Sequence, residues 1–307
     1  KKVMKSLLFI GGTGFLGKSF FDYLNRNKLN KIKLSKIIIV SRKKKLIKSK
    51  VKISYIKKSI SNIKLIPYVD YIIYAANSDD NLENIKGINN FINLLDERHK
   101  KTKILFTSSG AVYGPRKIKK KMIENEKINF MKVSEFSGYK NEYAKAKITM
   151  ERKFIQLGKK GYKISIARLF SFIGKRILEN DHFAITNLIL QARDKKNKTI
   201  KLNDNRSVFR GYMNSEDLIR WLIKIILNSS EKSKIYNVGS DEVVSIESLA
   251  KKIAKKFNKK IKKINLNKKK LTDEIDYYVP SIKKAKKDLN LKLKLNLNQS
   301  LNQLFKY

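Results

Sequence analysis

Apolar and polar positions alternate along this chain on two length scales. Short apolar runs at Leu7–Ile10, Lys36–Val40, Val51–Ile56, Tyr71–Tyr74, Lys103–Thr107 and Lys163–Leu169 predict strands. Between and after them, apolar residues return every three or four positions, which predicts helices over Phe15–Asn27, Asn84–Arg98, Glu142–Leu157, Ala184–Arg193, Ser215–Leu227 and Ser245–Phe257. Near-continuous apolar strands alternating with amphipathic helices point to an α/β fold with a doubly wound parallel sheet covered on both faces. With 3 prolines and no Ser/Gly-rich stretch in 307 residues, a flexible hinge between autonomous domains is not expected. The lysine-rich stretch Lys255–Lys270 reads as a helix end, a short strand and an exposed loop.

The first predicted strand runs into Gly-Gly-Thr-Gly-Phe-Leu-Gly and then a helix. In that setting Gly11 permits a tight turn, Gly14 lets backbone N–H groups approach a pyrophosphate, and Gly17 packs the helix on the strand, as in a Rossmann dinucleotide site. Phosphate then rests on unpaired N–H groups at the positive end of the helix dipole. Phe15 and Leu16 of the turn, and Ala75 and Ala76 after strand Tyr71–Tyr74, join the candidate cofactor contacts. The same turn satisfies a second pattern, because Gly12 is followed by four residues and then Gly17-Lys18-Ser19, as in a P-loop. A P-loop also needs an acid at the end of an apolar strand to hold magnesium. Here Asp70 stands at the wrong end of its strand, and Asp79 and Asp80 come late. The second strand ends Val40-Ser41-Arg42, where an acid would meet the free 2′-hydroxyl of NAD. A hydroxyl and a guanidinium suit a 2′-phosphate instead, so NADP is slightly favoured over NAD.

Charge and composition alter this picture little. The formal net charge of +45 suggests an anionic partner when taken alone. The lysines nevertheless lie along the whole chain among many Asn and Ile, as solvated helix faces would, and no specific nucleic-acid partner is expected. The field still attracts phosphates and nucleotide diphosphates. With 0 cysteines there are no disulfides, no thiolate chemistry and no sulfur-bound zinc, which fits a cytoplasmic location. The strongest apolar segment, Trp221–Leu227, is interrupted by Lys224, so no stretch approaches the roughly 20 residues of a membrane helix.

After strand Lys103–Thr107 comes Ser108-Ser109-Gly110-Ala111-Val112-Tyr113-Gly114, and later Tyr143-Ala-Lys-Ala-Lys147 opens a helix. Residues four apart share a helix face, so Tyr143 and Lys147 point together at the cleft above the sheet. An ammonium beside a phenol favours the phenolate, and the tyrosine then exchanges a proton with a substrate oxygen while hydride passes to or from a nicotinamide. Ser109 would hold the same oxygen. A rival pair, Tyr113 and Lys117, has Gly114 and Pro115 between its members, which oppose a helix.

With GGTGFLG at Gly11, SSGAVYG at Ser108, YAKAK at Tyr143, ARLFSFIG at Ala167, FRGYMNSEDL at Phe209 and YNVGS at Tyr236, the chain resembles the extended short-chain dehydrogenase/reductase family, in its nucleotide-sugar epimerase/dehydratase group. The resemblance implies a Rossmann domain (1–170 plus about 206–238) and a smaller α/β C-terminal substrate domain (about 171–205 and 239–307), with a nucleotide-diphosphate sugar between them. It implies Ser109, Tyr143 and Lys147 as catalytic residues, Arg210 against the substrate diphosphate, and Ser171 where the family commonly has a substrate-binding asparagine. His182, where the substrate domain begins, is a further candidate substrate contact, and a homodimer through helices including Asn84–Arg98 and Glu142–Leu157 is implied. His99 reads as a cation suited to a helix C-terminus. The family's 4,6-dehydratases follow the catalytic Thr with Asp-Glu; here Gly110 and Ala111 stand there. Elimination then lacks its proton donor and acceptor. Hydride chemistry at the sugar C4 remains, as 4-epimerisation or as reduction of a 4-keto sugar.

Overall fold

The computed structural model describes residues 4–26, 32–179, 183–203, 207–264 and 275–306. Seven parallel strands form the central sheet: β1 (Lys5–Ile10), β2 (Leu34–Val40), β3 (Lys52–Ile56), β4 (Tyr71–Tyr74), β5 (Lys103–Ser109), β6 (Lys163–Leu169) and β11 (Lys234–Val238). Their order is β3-β2-β1-β4-β5-β6-β11. The order therefore reverses between β1 and β4, and a crevice opens at their carboxyl ends, where ligands of such sheets bind. The period-2 pattern of β1 explains why the sheet is covered twice. Leu7 and Phe9 face one way, into a core with Phe20 and Phe21 of α1 (Phe15–Arg26) and Trp221 of α6 (Ser215–Leu227). Leu8 and Ile10 face the other way, into a core with Phe91 of α2 (Asn81–Asn93) and Phe154 of α4 (Tyr139–Lys159). Each such side chain taken out of water contributes roughly 1.5–3 kcal/mol. The expected α/β doubly wound arrangement is thus present.

A smaller assembly lies over the carboxyl ends of β5, β6 and β11. It is built from β7 (Ser171–Ile173) paired with β10 (Tyr212–Asn214), β8 (Thr199–Asn203) paired with β13 (Lys260–Ile264), and a three-stranded sheet of β12 (Val244–Ser245), β9 (Ser207–Arg210) and β14 (Ile275–Tyr278). Helices α5 (Ala184–Arg193), α7 (Ile246–Lys256) and α9 (Leu297–Leu304) close a separate core around Ile173, Leu188, Ile189, Ile200, Leu249, Ile253 and Leu301. The short α3 (Phe130–Val133) packs on α4 and the turn after β5, and α8 (Lys283–Leu289) lies against the edge strand β11.

Two expected elements differ. The helix expected over Asn84–Arg98 starts earlier, where Asp80 accepts the Leu82 N–H, and stops at Asn93; Asp96 then caps a separate 3-10 turn over Glu97–Lys101. In that turn His99 is 0% exposed, with its ring between Asp96 and the Ile66 carbonyl, so it fastens a loop instead of facing solvent as a terminal cation. Helix α4 begins at Tyr139, because Gly138 (φ 54°) turns the chain immediately before it. Strand β11 ends inside the YNVGS segment, with Tyr236–Val238 in the strand, and shows in the sequence as a motif only; a single five-residue strand has too few positions to show a period.

Candidate active site

The crevice between β1 and β4 widens into a cleft of about 940 Å³ that extends beneath the smaller assembly. Its floor is the glycine turn. Gly11 has φ +84°, and its N–H donates to the Val40 carbonyl at 2.9 Å; a Cβ there would lie 2.7 Å from the Ala76 nitrogen. A Cβ at Gly17 would lie 1.9 Å from the Gly12 oxygen, so α1 can sit against the turn only with glycine at that position. At Gly14 a Cβ would meet only the Gly11 oxygen, at 3.5 Å, which leaves its outer side open to the cleft. This is a cradle in which backbone N–H groups at the start of α1 can receive a pyrophosphate. Gly11, Gly14, Phe15, Leu16, Ala75 and Ala76 line the cleft; Gly17 instead packs helix on strand, as its place in the motif requires.

At the end of β2, Ser41 and the exposed Arg42 line the same cleft. The Ser41 hydroxyl shares a 2.7 Å hydrogen bond with the Thr13 hydroxyl, tying the strand end to the glycine turn. The P-loop alternative fails on geometry. Asp70 is held at the amino end of β4 by Lys5 (2.7 Å) and Ser6 (2.8 Å), at the opposite end of the strand from the crevice. Asp80 is spent on capping α2, and Lys18 is paired with Glu179. Among the described residues no group of three or more His, Asp or Glu is placed to hold a metal ion.

The structure brings Ser109, Tyr143 and Lys147 to one wall of the cleft. Strand β5 ends at Ser109, whose Oγ accepts the Ala111 N–H at 3.2 Å and so caps the short turn that follows. One turn of α4 separates Tyr143 from Lys147, and the ammonium lies 5.6 Å from the Tyr143 ring centre. Lys147 is 4% exposed and donates to the Thr107 carbonyl at 3.3 Å. Burial pushes its pKa down to about 8, with the charge of Glu151 acting in the opposite direction. Burial raises the Tyr143 pKa above its ordinary value, and the Ser109 hydroxyl opposes that rise.

Behind this wall Arg168 donates to both oxygens of Glu151 (3.0 and 2.8 Å) and to the Tyr113 hydroxyl (2.9 Å), which in turn donates to Asn237 at 2.8 Å. The network joins the turn after β5, α4, β6 and β11 out of contact with water. Removing either partner of such a buried pair leaves an uncompensated charge and costs about 3–5 kcal/mol. Tyr113, the rejected partner of Lys117, is therefore part of the frame.

From the smaller assembly Ser171 and Arg210 line the cleft. Arg210 does not point there as a free cation, since its guanidinium holds Asp276 at 2.8 and 3.2 Å. His182 lies outside the described residues. Sequence reading missed Tyr139, which stacks on Tyr143 with ring centres 6.0 Å apart, and it missed Tyr212 and Tyr278, which also line the cleft. Tyr139 was findable, because it stands one helical turn before Tyr143. For Tyr212, burial pushes the phenol up to about 12. Nothing in the spacing announced Tyr278, whose hydroxyl lies 3.4 Å from that of Ser109 across 169 residues of sequence.

A family model for the NAD-dependent epimerase/dehydratase family matches residues 7–239, from β1 through the end of β11. The chain belongs to that family. It is an NAD-dependent enzyme of the extended short-chain dehydrogenase/reductase type. No curated protein sequence matches significantly. Solved structures give the fold independently. The ADP-L-glycero-D-manno-heptose-6-epimerase of Helicobacter pylori has TM-score 0.75 at 21% identity, covering 99% of this chain and 96% of that one. The dTDP-glucose 4,6-dehydratase of Bacillus anthracis, in complex with NAD, has TM-score 0.77 at 16% identity, covering 99% and 96%. The UDP-glucose 4-epimerase of Thermotoga maritima, solved with UDP-glucose, has TM-score 0.72 at 18% identity, covering 98% of each chain.

Proposed function

We propose that this enzyme moves hydride at C4 of a nucleotide-diphosphate sugar, as a 4-epimerase or a 4-keto reductase, with Tyr143 as the proton-exchanging group. The observation that carries this reading is the convergence of Ser109, Tyr143 and Lys147 on one wall of a cleft whose floor is the glycine cradle. The cradle fits a dinucleotide, as the open face of Gly14 indicates. Gly11, Gly14, Phe15, Leu16, Ala75 and Ala76 would hold it, with Ser41 and Arg42 at its adenosine end, and when bound it exchanges hydride with the sugar. Lys147 supplies positive charge beside Tyr143 and lowers the cost of the phenolate. Tyr143 takes a proton from the C4 hydroxyl, or returns one to a C4 carbonyl, at its phenolic oxygen. Ser109 donates a hydrogen bond to the same sugar oxygen.

Support for C4 chemistry over 4,6-dehydration comes from Gly110 and Ala111, which leave the catalytic serine with no adjacent carboxylate. Ser171 and Arg210 face the substrate, Arg210 toward its diphosphate. Arg42 favours NADP slightly over NAD. We divide the chain into a dinucleotide part, 1–170 plus about 206–238, and a substrate part, about 171–205 and 239–307, although Ile282, Ala285, Leu289 and Leu291 pack in the first core and β9 pairs within the smaller assembly. Packing of α2 on α4 presents the surface through which a homodimer would form. No described helix is long and apolar enough to cross a membrane. A cytoplasmic role in making cell-surface polysaccharide precursors belongs to the same proposal. The experiment is a thermal-shift and absorbance panel of UDP-, GDP-, CDP- and dTDP-sugars with each dinucleotide. One stabilising sugar nucleotide that changes absorbance at the reduced-nicotinamide band is the expected result. Binding of ATP and magnesium in place of all of them would overturn the reading.

A further inference from the structure

The cleft carries one carboxylate that neither the glycine cradle nor the proposed chemistry uses. Among the described residues that line it, Glu83 of α2 is the only acid. A negative charge in a cleft that receives a pyrophosphate opposes binding unless it meets a hydrogen-bond donor of the same ligand. The setting of Glu83 is fixed by a 3-10 turn, Ile60–Asn62, that follows β3. Ser59 and Ser61 both donate to Glu83, Ser61 at 2.6 Å, and both meet the same oxygen, Oε1. These two bonds hold the carboxyl below its usual pKa, so it stays ionised and can only accept. The two serines use the acceptor capacity of Oε1, and that of Oε2 remains.

The turn does not need Glu83 for its docking. Asn90 of α2 donates to the Ile60 and Ile63 carbonyls at 2.8 and 3.0 Å, and a Cβ on Gly87 would lie 2.6 Å from the Ile60 side chain. Helix and turn are therefore in close contact on other grounds, and the carboxylate is held rigidly between them. Val40 and Ile60 belong to the core beneath α2, Ala76 packs against it, and all three line the cleft with Glu83. Apolar side chains beside one fixed acceptor suit a flat ring with an N–H donor on its edge. At the adenosine end of a dinucleotide, adenine with its exocyclic amine has that character. The ribose hydroxyls are the other donors there, but the ribose position of such a fold is the end of β2, where Ser41 and Arg42 stand. A carboxylate at the same position would repel the 2′-phosphate that Arg42 favours.

We infer that Glu83 is a specificity-determining residue that accepts a hydrogen bond from the exocyclic amine of the cofactor's adenine, with Ser59 and Ser61 holding it in register. The inference rests on the reading of the cleft as a dinucleotide site. It adds a choice of base, made from α2, to the choice at the ribose, made from β2. A dinucleotide whose base lacks the amine would leave the carboxylate against a C–H group.

Isothermal titration of the full chain with NAD+ and with nicotinamide purine dinucleotide, which carries hydrogen in place of the amine, tests this without any turnover. The wild type should bind NAD+ about tenfold or more tightly than the purine analogue, the loss of one hydrogen bond to a charged group. Glu83→Gln keeps a carbonyl oxygen for the two serines and puts an N–H₂ group where the second carboxylate oxygen was. In that variant, with folding checked by thermal melting, the two dinucleotides should bind within about twofold of each other. Ser61→Ala loosens the carboxylate without altering it and should reduce the discrimination by a few-fold, which keeps the test decisive if Glu83→Gln melts early. Equal binding of the two dinucleotides by the wild type, or a discrimination that survives both substitutions, overturns the assignment of Glu83. So does a Glu83→Gln protein in which only the ratio of NADP+ to NAD+ affinity changes, since the carboxylate would then meet the ribose. Binding of neither NAD+ nor NADP+ by the wild type removes the dinucleotide site beneath it as well.

Discussion

The two walls of the cleft are made by different means. On the proposed cofactor side the wall is shaped by backbone: a positive φ at Gly11, a helix start at Phe15, and a contact at Gly17 that excludes even a methyl group. On the proposed substrate side the lining is made of side chains, drawn from Ser171 of β7, Arg210 of β9 and Tyr278 of β14, which lie far apart in sequence. Backbone recognition demands a fixed local spacing and therefore leaves a sequence signature. Side-chain recognition needs only that strands meet, and β9 meets β14 in parallel without any motif to show it.

Four changes would break or sharpen that contrast. The largest effect belongs to the joint between the walls. Tyr143→Phe should lower turnover by roughly 10²–10⁴-fold while dinucleotide affinity, measured by nicotinamide fluorescence, stays within about twofold, because only proton transfer is lost. Near-normal turnover would remove Tyr143 from the chemistry.

Lys147 comes next. Its folded-state pKa of about 8 lies below the ordinary 10.5, so between those values the unfolded chain holds a proton that the folded chain has lost. Stability from this group therefore rises with pH across that window, by about 3 kcal/mol in all. Chemical denaturation of the cofactor-free chain at pH 7.5 and pH 10.5 should show that rise, and Lys147→Met should lack it. Parallel pH dependences in the two proteins would mean that the ammonium is better solvated than its burial indicates.

Third, Arg42→Ala should weaken NADPH by about tenfold or more, the loss of one charge-assisted contact to phosphate, and leave NADH nearly unaffected. Equal effects on both, read by isothermal titration, would make Arg42 a solvated surface cation. The smallest change is expected at Asp276. It pairs with Arg210, so Asp276→Asn should tighten UDP binding by a few-fold through relief of charge repulsion. Weaker binding would show that Asp276 aims the guanidinium and does not compete for it.

This contrast also accounts for what the sequence disclosed. All six strands read from apolar runs lie in the central sheet, because its inner strands are buried on both faces and so near-continuously apolar, while the edge strand β3 keeps only a partly buried run. Tyr143 and Lys147 were legible because helical spacing alone puts them side by side. Gly110 was visible as a missing acid, yet the Phe170 ring and the Tyr278 hydroxyl that fill its place come from other strands and have no local trace. The pairing of Arg210 with Asp276 was likewise invisible, since it depends on β9 lying beside β14. His99 was misjudged because its partner Ile66 is 33 residues away, on a loop no periodicity marks.

The Arg168–Glu151 pair behind α4 has a consequence for how the enzyme moves. Any shift of the helix that carries Tyr143 relative to β6 would pull apart two buried charges, whereas no comparable pair anchors the described residues of α5 to the central sheet. A ligand-driven motion of the roof would leave that buried pair intact, whereas a motion of α4 off β6 would not.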